Sequence, residues 1–292
     1  MTRVCSLLPS ATEIVADLGL IDSLVAVSEE CKWPAEVQDK PRVTAARVDS
    51  ANLSSGEIDR IVRDSVSDGR PLYTVDADLI DELQPDVLIT QDLCTVCAVS
   101  SGDLATACPV GAEIISLDPR TLEEVADTVN VLADRLDAVE AGRRIVVEMN
   151  AKLDDVRRAV DGLPRPRVFV AEWIEPPFCA GHWVPEMVEI AGGREVLGVA
   201  GQPSYSTTWE RVIEAAPDLI VIAPCGFDAD AAAARAAGAD LRARVVAVDA
   251  DSYFSRPAPR LADGVRQLAH LLHPDAVPDP ALPAIELQRA RS

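Results

Sequence analysis

No stretch of this chain approaches the roughly 18 consecutive apolar residues that a membrane-spanning helix needs, so no membrane span is expected. The first fifteen residues, MTRVCSLLPSATEIV, hold one early Arg and an apolar run already broken by Pro9 and Ser10. They lack the apolar core and the Ala-x-Ala site of a signal peptide. A cytoplasmic protein is therefore expected, or an extracytoplasmic one from which a leader has been removed. Basic residues are scarce: 27 Lys and Arg against 48 Asp and Glu leave a net charge of −21. Such a surface repels phosphate backbones and anionic lipid, so nucleic acid is not an expected partner. Enzyme signatures are missing too, with no Gly-x-Ser-x-Gly elbow, Walker loop, dinucleotide glycine fingerprint or His-Glu-x-x-His. Histidine is rare, and two of the three, His270 and His273, sit where a helix end favours positive charge.

What the chain has is apolar content, 48% over 292 residues, enough for two ordinary domains or one large one. Short apolar runs (RVCSLL, LVAV, PLYTV, DVLIT, EIISL, then RVFVAEW, LIVIAP, RVVAVD) alternate with helical patterns, which predicts α/β units with parallel strands. From about Leu122 to Val160 the rhythm gives way to unbroken helical periodicity, ended by DGLPRPR. The expected organisation is an α/β lobe over 1–137, a bridging helix over 138–163, a second α/β lobe over 164–273 and a tail over 274–292. An internal echo supports two similar lobes: ADLIDELQPDVLIT and WERVIEAAPDLIVI share a helix, a Pro-Asp turn and a buried strand, pairing Pro85 with Pro217 and Asp86 with Asp218. Ligand sites in such folds lie at the loops leaving the carboxyl ends of the strands. These are Pro9–Thr12, SEECKWP and QDLCTVCAV in the first lobe, and EWIEPPFCAGHW, PSYSTTW, APCGFD and DADSYFSR in the second.

Cysteine is the residue type most suggestive of chemistry, and the odd count of seven fits a reducing compartment better than a disulfide framework. Cys31, Cys94, Cys97, Cys179 and His182 all fall in those loops. Such a soft set suits zinc, copper(I) or an iron–sulfur cluster, provided the members meet at one ion. Cys94 and Cys97 read first as small, soft side chains packing a tight loop, with a redox dithiol as a further alternative. The redox reading is weakened by a helix start placed at Ser100 or Ser101, beyond both thiols. Cys5, Cys108 and Cys225 are expected to be buried. SATE, Ser10 with Glu13, reads as a capping box. His182 is a candidate ligand or donor to bound substrate, or the cap of the helix that follows it.

RVCSLLPSATEIVADLGLIDSLVAVS, LQPDVLIT, the long connector, IEPPFCAG, VIEAAPDLIVI and SYFSRPAPRLADGVRQLAHLL together resemble the substrate-binding proteins of cobalamin and iron-siderophore ABC importers. The likeness is greatest to the cobalamin-binding branch and runs from Arg3 to about Leu272. It implies two Rossmann-like lobes bridged by one long helix, and a non-catalytic, preformed cleft for a planar metallo-ligand: a corrinoid, a haem or a ferric siderophore. It implies corrin contacts at Phe178, Tyr253 and Phe254. Glu30 stands where the cobalamin binder has a tyrosine, and Ser204 where it has a tryptophan, with Tyr205 alongside. Trp33 and Trp183 offer further stacking surface, and Gln91 closes a first-lobe strand at the same rim. A cysteine or His182 would equally suit the cobalt of a corrinoid. Asp78 and Glu210 match the acidic residues that dock to a permease, and both also read as helix caps. The alternative in another class is a metal- or thiol-dependent enzyme using Cys94 and Cys97 with Cys31 or His182.

Overall fold

The computed structural model of the chain describes residues 1–48, 50, 53–92, 111–236 and 243–287. Its contacts divide the chain into two units. Unit 1 comprises Met1–Leu53, Glu57–Pro119 and Ala126–Val146. Unit 2 comprises Ser54–Gly56, Arg120–Val125 and Val147–Ser292.

Unit 1 contains β1 (Val4–Ser6), α1 (Pro9–Asp17), β2 (Leu24–Val27), β3 (Thr44–Ala46), most of α2 (Ser55–Ser67), β4 (Tyr73–Val75), α3 (Ala77–Leu83), β5 (Val87–Thr90), β6 (Glu113–Ser116) and most of α4 (Leu122–Arg135). Four strands form a parallel sheet in the order β2-β1-β5-β6. The central strands β1 and β5 are buried along their whole length, the continuous apolar pattern of a sheet covered on both faces. PLYTV departs from the expected parallel arrangement. Its residues Tyr73–Val75 are only partly buried, and they pair antiparallel with β3 in a separate ribbon.

Helix α1 also starts differently from its capping-box reading. Leu8 is the N-cap, without a side-chain cap bond, and Pro9 opens the helix. Proline's fixed φ and missing N–H suit the first helical position, which moves the start ahead of Ser10. Ser10 thus lies inside the first turn, and its Oγ is buried with no hydrogen-bond partner.

Helix α5 (Val139–Val160) contributes to both units. Ala141, Ile145 and Val146 pack against the core of unit 1. Farther along, Met149, Leu153, Val156 and Val160 are buried at the four- and three-residue spacing of one helix face.

Unit 2 continues with β7 (Arg167–Ile174), β8 (Pro177–Cys179), α6 (Val184–Ile190), β9 (Arg194–Glu195), β10 (Tyr205–Ser206), α7 (Trp209–Glu214), β11 (Leu219–Ile222), α8 (Ala229–Ala236), β12 (Arg244–Val248), α9 (Ala250–Tyr253), α10 (Leu261–Leu272) and β13 (Ala284–Leu287). The sheet order is β10-β8-β7-β11-β12-β13, with β9 also on β7. Strands β7, β11 and β12 are parallel neighbours. The stretch read as a tail contains β13, which adds antiparallel to β12.

The internal echo extends to individual atoms. Asp86 accepts the Arg3 N–H through Oδ2 at 2.7 Å while its own N–H donates to the Arg3 carbonyl at 2.8 Å. Asp218 and Arg167 make the same pair at 2.8 and 2.8 Å. Each arginine side chain also donates to carbonyls at the end of the helix that leads into the aspartate's turn, at Leu83 and Gln84 or at Ala215 and Ala216. Gln84 and Ala216 both take a left-handed φ of 43°, ending their helices at the turn before Pro-Asp.

Candidate functional site

In unit 2 the loops that leave the carboxyl ends of the parallel strands are tied to one another. The Cys225 N–H donates to the Glu172 carbonyl at 3.3 Å, and the N–H groups of Ala250 and Asp251 both donate to the Phe227 carbonyl at 3.1 Å. Two half-buried rings meet there: Trp173 and Phe227 have centroids 5.9 Å apart at an interplanar angle of 47°. The Arg235 guanidinium lies 3.8 Å from the Phe227 centroid, a cation–π arrangement. The Trp173 indole N–H donates to the Ser55 carbonyl at 3.1 Å. Neither Trp173 nor Phe227 was singled out in the sequence. The usable signal was their place, one just before and one just after the ends of strands β7 and β11.

The neighbouring aromatics divide sharply. Tyr253 is half-buried under Arg260, whose guanidinium is 5.5 Å from its centroid. Phe254 is 1% exposed and Trp183 6%, and the Trp183 indole N–H donates to the Phe254 carbonyl at 2.7 Å. These two rings therefore belong to the core and present no stacking face. A buried pair, Arg256 to Asp251 at 2.7 Å, ties the same loop.

Phe178 and Cys179 lie on β8, paired with Ser206 and Tyr205 of β10. Phe178 is half-buried, and Tyr205 is 39% exposed with its hydroxyl donating to the Leu197 carbonyl at 2.8 Å. His182 follows in a turn with φ 49°, its N–H donating to the Gln202 carbonyl at 2.7 Å. Burial, with Arg120 adding repulsion, lowers the pKa of His182 below the usual histidine value, so the ring is neutral at pH 7 and keeps a lone-pair nitrogen. It does not cap α6, whose N-cap is Trp183 with no side-chain bond.

In unit 1 the loop after β2 places Glu30 beside Lys32 at 3.5 Å and leaves Trp33 47% exposed. The Arg42 guanidinium braces this loop through the carbonyls of Ser28 and Cys31 at 2.7 and 2.6 Å. Burial raises the pKa of the Glu29 carboxyl, and its Oε1 is enclosed without a hydrogen-bond partner. Gln91 is buried at 4% exposure. A polar hollow of about 500 Å3 is lined by β3, β4 and the start of α3, with Arg42, Asp76 and Asp78 as its charged groups.

The expected soft-ligand set is not assembled among the described residues, where no group of three or more His, Cys, Asp or Glu can hold a metal ion. Cys31 is fully buried with its Sγ 3.0 Å from the Thr12 hydroxyl, and Cys179 is fully buried within a strand. Cys5 is buried as well, but Cys225 is only partly so. Cys94, Cys97 and Cys108 lie outside the described residues, as does the helix start expected at Ser100 or Ser101.

Asp78 and Glu210 lie in the first turns of α3 and α7, and both are exposed. They are not the caps. Asp76 Oδ1 accepts the Leu79 N–H at 3.0 Å, and Thr208 Oγ1 accepts the Arg211 N–H at 3.3 Å. Acceptance from its own N–H and from Thr208 holds the Glu210 carboxyl below the ordinary glutamate value.

Three relatives frame this geometry. The chain is 27% identical to the vitamin B12-binding protein of Vibrio cholerae serotype O1 over 92% of this chain and 88% of that one. The crystal structure of that periplasmic protein superposes with a TM-score of 0.67, covering 92% of this chain and 96% of the other. An uncharacterized ABC transporter substrate-binding lipoprotein of Bacillus subtilis is 23% identical over 94% of this chain and 80% of its own. A periplasmic heme-binding protein from Pseudomonas aeruginosa shares the fold, with a TM-score of 0.74 at 20% identity and 99% of both chains covered. These names place the relatives outside the cytoplasm, and the expectation of a cytoplasmic protein finds no support among them. With residues 4–249 matched by the model of the Periplasmic binding protein family, the chain belongs to that family.

Proposed function

We propose that this protein is the non-catalytic ligand-binding component of an ABC importer and that it holds a corrinoid or a closely related metallo-macrocycle. The observation that carries the reading is a set of half-buried aromatics at the strand ends of unit 2: Trp173 and Phe178 on the paired strands β7 and β8, Phe227 in the loop after β11 and Tyr253 at the end of α9, with backbone bonds bracing the Phe227 loop to α9. Such a set offers flat apolar contact without rearrangement, which suits a rigid planar ligand. Tyr205 adds exposed ring area within the same unit. The neutral ring of His182 supplies a donor or a metal-ligating nitrogen.

The relatives support the importer role, and Asp78 and Glu210 are assigned to permease docking. Asp76 and Thr208 supply the side-chain caps, and the carboxylates of Asp78 and Glu210 are exposed beside them. By the same resemblance the working compartment is extracytoplasmic. No helix among the described residues is long and apolar enough to cross a membrane. The thiol-enzyme alternative loses ground at Cys31, because a nucleophile needs solvent access and this side chain has none.

Calorimetric titration with cyanocobalamin, hemin and a ferric siderophore tests the reading. Saturable 1:1 binding of cyanocobalamin is expected, weakened at least tenfold by Phe178→Ala and by Tyr253→Ala. Full affinity in both variants would refute the placement of the site.

A further inference from the structure

Strand β7 is flanked on one side by two different partners. Strand β9 pairs with its first residues, Arg167 with Arg194 and Val168 with Glu195, and β8 takes over at Ala171 opposite Cys179. The N–H of Val170 falls in the gap between them, where Glu195 Oε2 accepts it at 3.3 Å. The other oxygen, Oε1, accepts three successive N–H groups: Val196 at 3.0 Å, Leu197 at 3.2 Å and Gly198 at 3.1 Å. Glu195 as a residue is half-buried, but its carboxyl head is enclosed by these donors.

The turn so formed touches the candidate site twice. The Leu197 carbonyl accepts the Tyr205 hydroxyl at 2.8 Å. Gly198 lies so close to the strand end before His182 that a Cβ there would come within 2.5 Å of the Ala180 carbonyl. A buried carboxylate in place of a strand's backbone acceptors is costly unless fully bonded, and here three of the four N–H groups that it accepts belong to one turn.

We propose that Glu195 is a positioning residue for ligand binding, acting through the 196–198 turn to fix Tyr205 and the antiparallel β8–β10 pair that carries Phe178. The proposal rests on the ligand site assigned above, and its test separates the two. Hydrogen exchange is followed without ligand in wild type, Glu195→Ala, Glu195→Gln and Tyr205→Phe, and cyanocobalamin affinity is measured in the same proteins and in the Glu195→Ala/Tyr205→Phe double variant.

Glu195→Ala is expected to speed exchange at residues 196–198 and to weaken binding about tenfold. Glu195→Gln, which keeps an oxygen for the three turn N–H groups, restores both toward wild type. The double variant binds no more weakly than the weaker single variant, because both substitutions cut one chain of contacts. Fully additive losses of affinity, or unchanged exchange in Glu195→Ala, overturn the proposal. If wild type does not bind cyanocobalamin, the ligand assignment fails and the exchange data alone decide: faster exchange at 196–198 in both Glu195→Ala and Tyr205→Phe supports the coupling, and its absence in either refutes it. Should Glu195→Ala not fold, Glu195→Asp, whose shorter side chain cannot reach both Val170 and the turn, takes its place in every comparison.

Discussion

Phe254 and Tyr253 are adjacent, as are Trp183 and His182, and in each pair one ring is packed inside while the other keeps a solvent face. A loop sequence marks where aromatics collect but not which neighbour turns inward, so Trp183 and Phe254 read as contacts when they are core. Their substitution therefore has a different signature from that of Tyr253. Trp183→Ala is expected to cost about 3 to 5 kcal/mol of folding stability in chemical denaturation. Tyr253→Ala, half-exposed, is expected to change stability little and affinity strongly.

Glu195 gives a pH prediction at the same scale. Burial pushes its carboxyl from 4.5 up to about 7. Between those values the folded protein holds a proton that the unfolded chain has released. The group's stabilising contribution is therefore complete below pH 4.5 and is lost as pH rises through 7, a change of about 3 kcal/mol. The titratable groups facing it, the Cys179 thiol and the Tyr205 hydroxyl, are pushed further up by burial and stay neutral in this window. Denaturation at pH 5 and pH 8 should show the stability difference between wild type and Glu195→Gln moving by about that amount in favour of wild type at the lower pH. A difference independent of pH would mean that Glu195 titrates normally.

At the scale of elements, the Pro-Asp echo was legible because both copies keep the residue types that the geometry needs: Arg opening one strand, Asp opening its neighbour, and a helix ending just before. The start of α1 was not legible, because Ser10 and Glu13 satisfy a capping pattern that Pro9 pre-empts. Similarly, Asp78 and Glu210 looked like caps until Asp76 and Thr208 took the bonds. Asp76→Ala and Thr208→Ala are each expected to cost about 1 kcal/mol of stability. Asp78→Ala and Glu210→Ala should leave stability within about 0.5 kcal/mol of wild type, while uptake in cells carrying the cognate permease falls. An uptake rate unchanged in the Asp78→Ala/Glu210→Ala double variant would remove the docking assignment.

Over the whole molecule, the parallel strands at the centre of each main sheet and the long helix Val139–Val160 followed from alternating apolar runs and a long helical segment. Strand β13 was hidden because AIEL is short and follows a Pro-rich stretch that reads as tail. The β3–β4 ribbon was hidden because PLYTV alternates like any strand, and periodicity says nothing of direction. The thiol pair Cys94 and Cys97 lies outside the described residues, so the site rests on aromatic loops. The measurement closest to the central claim is a titration of the wild-type protein with cyanocobalamin beside hemin, read by calorimetry and absorbance. Saturable 1:1 binding of cyanocobalamin, stronger than that of hemin, is the predicted result; saturable hemin binding with no response to any corrinoid would contradict it.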